Sequence, residues 1–236
     1  MTGAAASAAL AERRAGLDAL EAEIVDCRAC PRLVAWREQV GREKRAAFRD
    51  ETYWARPVPG WGDPAAHLAV VGLAPAAHGA NRTGRIFTGD RSGDVLYAAL
   101  HRAGYASQPT ATSRDDGLTL TGAWITAPVR CAPPANKPTI AERDTCRPYL
   151  ERELALLADV RVLMVLGGFG YQVVCGLLGV RPRPKFGHGV EVPLPDGRTI
   201  LCSYPVSQQN TFTGRLTPAM LDDVLARARE LGGTPA

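Results

Sequence analysis

Apolar positions along this chain fall into blocks, and the spacing within the blocks changes from helical to continuous and back. Leu10, Leu17, Leu20 and Ile24 recur at helical intervals, which predicts a helix over residues 8–25. Residues 37–50 are dominated by charge and are expected as a solvated helix or loop. Residues 54–63 carry Pro57, Pro59, Gly60 and Gly62, so irregular structure is expected there. The short apolar runs 67–72, 123–126 and 160–166 have the character of buried strands. Helical spacing returns over 93–102, 142–158, where Pro148 predicts a kink or restart, and 169–178. Residues 108–119 are polar and predict a loop, and Pro182 and Pro184 predict another. Residues 189–193 and 198–203 read as two strands joined by a turn at Asp196-Gly197. A closing helix over 217–231 has Thr217 as its cap and Pro218 in its first position.

Strands alternating with helices predict an α/β fold, a three-layer α/β/α sandwich around a central, mostly parallel sheet. Residues 1–236 are expected as a single domain, with 1–20 as a partly frayed N-terminal extension. The unusual residues collect just after the strands, in Gly72-Leu-Ala-Pro75, Ala127-Pro-Val-Arg-Cys131, Gly167-Gly-Phe-Gly170 and Pro205-Val-Ser-Gln-Gln-Asn210. In open parallel sheets ligands bind at the carboxyl ends of the strands, so these loops are expected around one cleft.

Composition narrows this further. Apolar residues make up 46% and charged residues 22% of the chain, which excludes a disordered chain or a coiled coil. The apolar runs fall far short of the roughly 20 residues needed to span lipid. Residues 1–10 lack the basic start and apolar block of a signal peptide, so a cytoplasmic protein without a membrane partner is expected. The net charge of +4 permits an anionic partner without requiring one.

Six cysteines stand at 27, 30, 131, 146, 175 and 202. Cys27 and Cys30 form a C-x2-C pair, whose tight turn can point two thiolates at one site. Cys131, beside Ala132-Pro-Pro134, and Cys146, just inside a helix that Thr139 and Glu142 open as a capping box, are expected to complete the set. The spacing suits zinc and an iron–sulfur cluster equally. Cys175 and Cys202 lie among apolar residues and are expected as core packing.

Two segments carry the candidate chemistry. Residues 72–90, GLAPAAHGANRTGRIFTGD, bring small residues that let backbone approach a ligand, with Arg82 and Arg85 for phosphates, Phe87 for stacking and a single carboxylate, Asp90. They contain neither a Gly-Lys-Ser/Thr phosphate loop nor a G-x-G-x-x-G run. Residues 203–217, SYPVSQQNTFTGRLT, are rich in amides and hydroxyls suited to a phosphate backbone.

These two segments, together with VRCAPP and the four-cysteine frame in this order, resemble the iron–sulfur uracil-DNA glycosylases, most closely the family 5 (type b) group. The resemblance implies a structural 4Fe-4S cluster on Cys27, Cys30, Cys131 and Cys146. It implies an enzyme of base-excision repair that acts on double- and single-stranded DNA with damaged bases. Such an enzyme flips uracil, and other deaminated bases such as hypoxanthine, out of the DNA and hydrolyses the N-glycosidic bond. A monomer working with the chromosome is expected. Asp90 would position water or stabilise the cationic sugar, and Asn136 would make a polar contact. Ala74, Ala77, Phe87, Ala127 and Pro205 would surround the base. Ala127 stands where related enzymes read uracil with an asparagine, which implies a loosened readout. Arg82, Arg85, Ser207, Gln208, Gln209, Asn210, Thr213, Arg215 and Leu216 would contact DNA, the last two in the loop that fills the gap left by the base. Pro205 stands where the family pattern has a histidine. This implies either that His78 takes over a catalytic part or, as the alternative, a slowed or inactive DNA-binding member.

Overall fold

The computed structural model describes residues 3–233. In chain order the strands are β1 (Trp61–Gly62), β2 (Leu68–Val71), β3 (Ala123–Thr126), β4 (Val162–Leu166), β5 (Glu191–Pro193) and β6 (Thr199–Ser203). They form one sheet in the order β1-β3-β2-β4-β6-β5. The four inner strands run parallel, and β1 and β5 close the two edges antiparallel. Every residue of β2, β3 and β4 is buried, as a parallel sheet covered on both faces requires.

The helices are α1 (Gly3–Val25), α2 (Pro31–Glu43), α3 (Ala80–Thr83), α4 (Arg91–Arg102), α5 (Ile140–Leu156), α6 (Gly168–Leu177), α7 (Gln208–Phe212) and α8 (Pro218–Gly232). Alternate strand residues divide between two cores. Leu68, Val70, Ile125 and Met164 face one side, where Leu96 and Leu100 of α4 and Leu221 and Leu225 of α8 cover them. Ala69, Val71, Leu163 and Val165 face the other, under Leu17 of α1, Leu150 of α5 and Val174 of α6. The three-layer sandwich read from the sequence is therefore the observed architecture. No described helix is long and apolar enough to cross a membrane.

Helix ends follow the local chemistry. Thr139 caps α5 by accepting from the amide of Glu142 at 3.2 Å, while the Glu142 carboxylate accepts from the Thr139 amide at 2.7 Å. Thr217 accepts from the Met220 amide at 3.2 Å, with Pro218 opening α8. Thr139→Ala removes one acceptor from the α5 cap, and a loss of about 1 kcal/mol is expected in urea unfolding followed by circular dichroism. Pro148 lies inside α5 and does not end it. The charged stretch 37–50 divides at Glu43, where α2 ends after starting directly behind Cys30 with Pro31 in its first turn, and the remainder is loop around a short turn at Ala46–Phe48. The inner stripe of α2, Leu33, Val34, Arg37 and Val40, is buried.

The sheet order places the site. From β2 the chain moves outward to β3, then returns past β2 to β4 and β6 on the opposite side. The connections after β2 and β4 therefore diverge, and a crevice opens between the carboxyl ends of these two neighbours.

Candidate active site

A cavity of about 320 Å³ fills that crevice. Gly72, Leu73 and Ala74 bring the end of β2 to it, and Leu166, Gly167 and Phe169 bring the end of β4. Phe87, Asp90, Asn136, Pro205 and Ser207 complete the wall. The volume suits a single ring system with a few polar contacts.

Phe87 lies over the end of β2. A β-carbon on Gly72 would stand 3.0 Å from the tip of the Phe87 ring, so the absent side chain is what admits the ring. Phe87 has a φ of 55°, a left-handed conformation that is costly for an aromatic residue. Ala135 and Asn136 are also left-handed, with φ of 52° and 55°. Backbone strain thus collects on two sides of the cavity, as it does at sites where side-chain placement is fixed at some cost in stability.

Asp90 has two tasks. It caps α4, with Oδ1 accepting from the Gly93 amide at 3.0 Å. Its second oxygen crowds Gly79, where a β-carbon would stand 1.9 Å from Oδ2. The glycine therefore lets the motif backbone pass under the carboxylate. Burial raises the Asp90 pKa above the usual aspartate value, against the lowering effect of the Gly93 and Ser92 amides. Asp90 thus both caps α4 and lines the cavity.

Several residues expected here lie elsewhere. His78 is not part of the cavity wall; its Nδ1 is 3.0 Å from the Tyr53 hydroxyl, and burial, then Arg45 and Arg82, hold its pKa down. Ala127 is fully buried in the core. Ala77 is not a wall residue either, and its neighbour Ala76 is. Arg82 and Arg85 do not offer their charges to solvent. Arg82 pairs with Glu51 and donates to the carbonyls of His78 and Gly89, and Arg85 pairs with Asp116 at 2.7 Å. Both are nearly buried and brace the loop from within, because each finds its acceptors inside the protein. Leu216 is 1% exposed and anchors the core instead of projecting toward DNA.

The segment after β6 contains a short helix. Ser207 lines the cavity and caps α7 by accepting from the Asn210 amide. Asn210 Nδ2 donates to the Pro205 carbonyl at 2.9 Å, which fixes the wall at Pro205. Gln208, Gln209, Thr213 and Arg215 are exposed on the outer side, and the Arg215 guanidinium lies 4.8 Å from the Tyr204 ring centre. Phe169 and Ser92 also line the cavity and were not singled out from the sequence. The turn Gly167-Gly-Phe-Gly170 was the available signal for the first.

Beside this cavity, Cys27, Cys30, Cys131 and Cys146 line a second, smaller hollow. They come from the segment after α1, the cap of α2, the loop after β3 and the middle of α5. Arg37 Nη1 donates to Cys131 Sγ at 2.9 Å, and the Arg130 amide donates to Cys146 Sγ at 3.3 Å. The Nε atoms of both arginines are buried without a partner. Burial pushes the thiols of Cys131 and Cys146 up to about 11 and about 12. Among the described residues, no three His, Cys, Asp or Glu side chains converge as a single metal ion would need. Cys175 and Cys202 are buried in the core, as their apolar neighbours imply.

The family model of the uracil DNA glycosylase superfamily matches residues 59–229, which include the whole sheet and every wall of the larger cavity. A type-5 uracil-DNA glycosylase of Mycobacterium tuberculosis is 58% identical over 91% of this chain and 81% of its own length. The protein of that name from Thermus thermophilus is 55% identical over 88% of this chain and 94% of its own. That from Pyrobaculum aerophilum is 44% identical over 87% and 88%. With a fold, a cavity and relatives that agree over most of its length, the chain belongs to the uracil DNA glycosylase superfamily, alongside the type-5 uracil-DNA glycosylases.

Proposed function

We propose that this protein is a DNA glycosylase of base-excision repair, which hydrolyses the bond between deoxyribose and uracil, or another deaminated base, in a flipped nucleotide. The observation that carries the reading is the joint presence of Phe87, Asp90 and Asn136 in one cavity at the sheet's switch point. A base entering there lies against the Phe87 ring, with Phe169 also in the wall. As the glycosidic bond stretches, positive charge grows on the sugar and negative charge on the base. The Asp90 carboxylate stabilises the former and orients the attacking water. Asn136 donates from its amide to the leaving base. Helix α6 starts at Gly168 with no side-chain cap, so its first amides offer further N–H donors to that anion. This helix start supplies donors on the wall where Pro205 has none. The apolar wall favours acceptance of more than one deaminated base.

The alternative of a DNA-binding member without turnover rested on Pro205. The relatives are all named as glycosylases, and nothing favours that alternative over the enzyme. The same reading takes the protein as a monomer acting on double- and single-stranded DNA, in the cytoplasm with the chromosome.

The four cysteines fit a 4Fe-4S cluster. All four line one hollow, and four thiolates are the usual ligand set of such a cluster. Two buried arginine donors suit the negative charge that a cluster on four thiolates carries. Bound there, the cluster would cross-link α2, α5 and the loop after β3, and it supplies structure and not a reaction step. The experiment has two parts. Purified protein is incubated with duplex and single-stranded oligonucleotides bearing uracil, hypoxanthine or xanthine, and alkaline cleavage reports abasic sites. Release of uracil is expected, and no release from any substrate overturns the reading. Iron analysis and absorbance near about 400 nm test the cluster separately, with loss of both expected in Cys131→Ser.

A further inference from the structure

Few large apolar side chains are left open to solvent among the described residues, and one stands on the short helix that starts beside Ser207 in the cavity wall. Phe212, the last residue of α7, is 66% exposed. Its surroundings are stiff. Thr211 Oγ1 donates to the Ser207 carbonyl at 3.2 Å, Thr213 Oγ1 to the Gln209 carbonyl at 2.7 Å, and the Leu216 amide to the Asn210 carbonyl at 3.1 Å. The segment begins at Ser207 in the cavity wall and ends at Leu216 in the core, so it holds the ring outward on a fixed stem. The Arg91 guanidinium lies 5.1 Å from the centre of that ring. Arg91 directly follows Asp90, and Phe212 ends the helix that Ser207 caps, so the pair joins two segments that each carry a cavity-lining residue.

We propose that Phe212 is the side chain that enters the base stack and fills the gap left by the flipped nucleotide, while Arg91 leaves its ring for a flanking phosphate. This rests on the glycosylase reading above and names the residue that opens the duplex. An apolar ring inserted between bases offsets the cost of unstacking, and stacking on an aromatic face is tolerant of sequence. Leu216 cannot do this, because its side chain is committed to the core. Held over the ring, Arg91 shields an exposed aromatic in the free protein. Released, it adds one phosphate contact beside the catalytic carboxylate.

The test compares Phe212→Ala with the natural protein on one uracil-containing sequence, as a duplex with uracil opposite guanine and as a single strand. A single strand leaves no gap to fill. The duplex-to-single-strand ratio of kcat/KM is expected to fall by about tenfold or more. Phe212→Leu, which keeps an apolar wedge, should restore most of the ratio. The melting temperature should not move, since the ring is exposed. Equal losses on both substrates, or no loss on either, overturn the proposal. Should the natural protein release no base at all, the glycosylase reading fails, and binding still decides the question of Phe212. A duplex with 2-aminopurine beside the uracil should brighten on binding of Asp90→Asn and stay dark with the Asp90→Asn, Phe212→Ala double variant. Equal brightening by both overturns the wedge.

Discussion

Asp90→Asn is expected to slow base release by about 10²–10⁴-fold while leaving the fold intact. The two tasks of this residue separate in that substitution. Asparagine is as good a helix cap as aspartate, so its side-chain oxygen keeps the Gly93 amide and α4 keeps its start. What is lost is the negative charge facing the cavity. The same residue should give the reaction its acid limb. Burial raises the Asp90 pKa above the ordinary value of 3.8, and the carboxylate must be ionised to hold water or face a cationic sugar. The rate should therefore fall as pH drops through a value above 3.8, and the limb should vanish in Asp90→Asn. Stability has the opposite sign. A carboxylate with a raised folded-state pKa binds its proton more tightly in the native protein, so its contribution is present at low pH and is lost as pH rises through that pKa. At neutral pH Asp90→Asn should melt at the same temperature as the natural protein or slightly above it. A parallel fall in melting temperature and rate would mean that the cap alone accounts for Asp90.

The contrast between Asp90 and the neighbouring arginines shows what a linear sequence can convey. Local signals were legible: the apolar run of β2, the Thr139–Glu142 box, the Thr217-Pro218 start of α8, and the four glycine- and proline-rich turns that meet around the cavity. Each depends on residues a few positions apart. The misplaced residues depend on distant partners. Arg82 and Arg85 look like phosphate ligands until Glu51 and Asp116, each 31 positions away, are seen to hold them. Arg37 looks like part of a solvated face, yet it is buried against Cys131, 94 positions on. His78 is drawn to Tyr53 and not to the cavity. Leu216 and Phe212 are both apolar members of one loop, and only packing decides which is buried and which is offered to solvent. The wall made by Phe169 was hidden for another reason: an aromatic after a glycine turn is as compatible with core packing as with a binding site.

Glu153→Ala is expected to cost about 3–5 kcal/mol of stability, a rise of roughly 10²–10⁴-fold in the unfolding constant. The Arg130 and Glu153 side chains are 1% and 2% exposed, with Arg130 Nη2 donating to Glu153 Oε2 at 2.6 Å. Thr126, the last residue of β3, donates its hydroxyl to the same oxygen. The Arg130 amide meanwhile reaches Cys146 Sγ, and its carbonyl accepts from the Val58 amide at 2.7 Å. One ion pair thus ties the carboxyl end of β3, helix α5 and the cysteine hollow together. Removing the carboxylate leaves a guanidinium buried without a countercharge, and desolvation of that charge is what makes the single change severe. Arg130→Met with Glu153→Leu removes both charges at similar volume, and should cost far less than Glu153→Ala alone. Urea unfolding of Arg130→Met, Glu153→Leu and the variant carrying both, followed by circular dichroism, measures the coupling. If the double variant loses as much as the sum of the singles, the pair is not coupled, and the strand end must be held by packing alone. A strong coupling instead makes this buried contact the mechanical link between the cysteine frame and β3, which pairs with β2 beside the crevice.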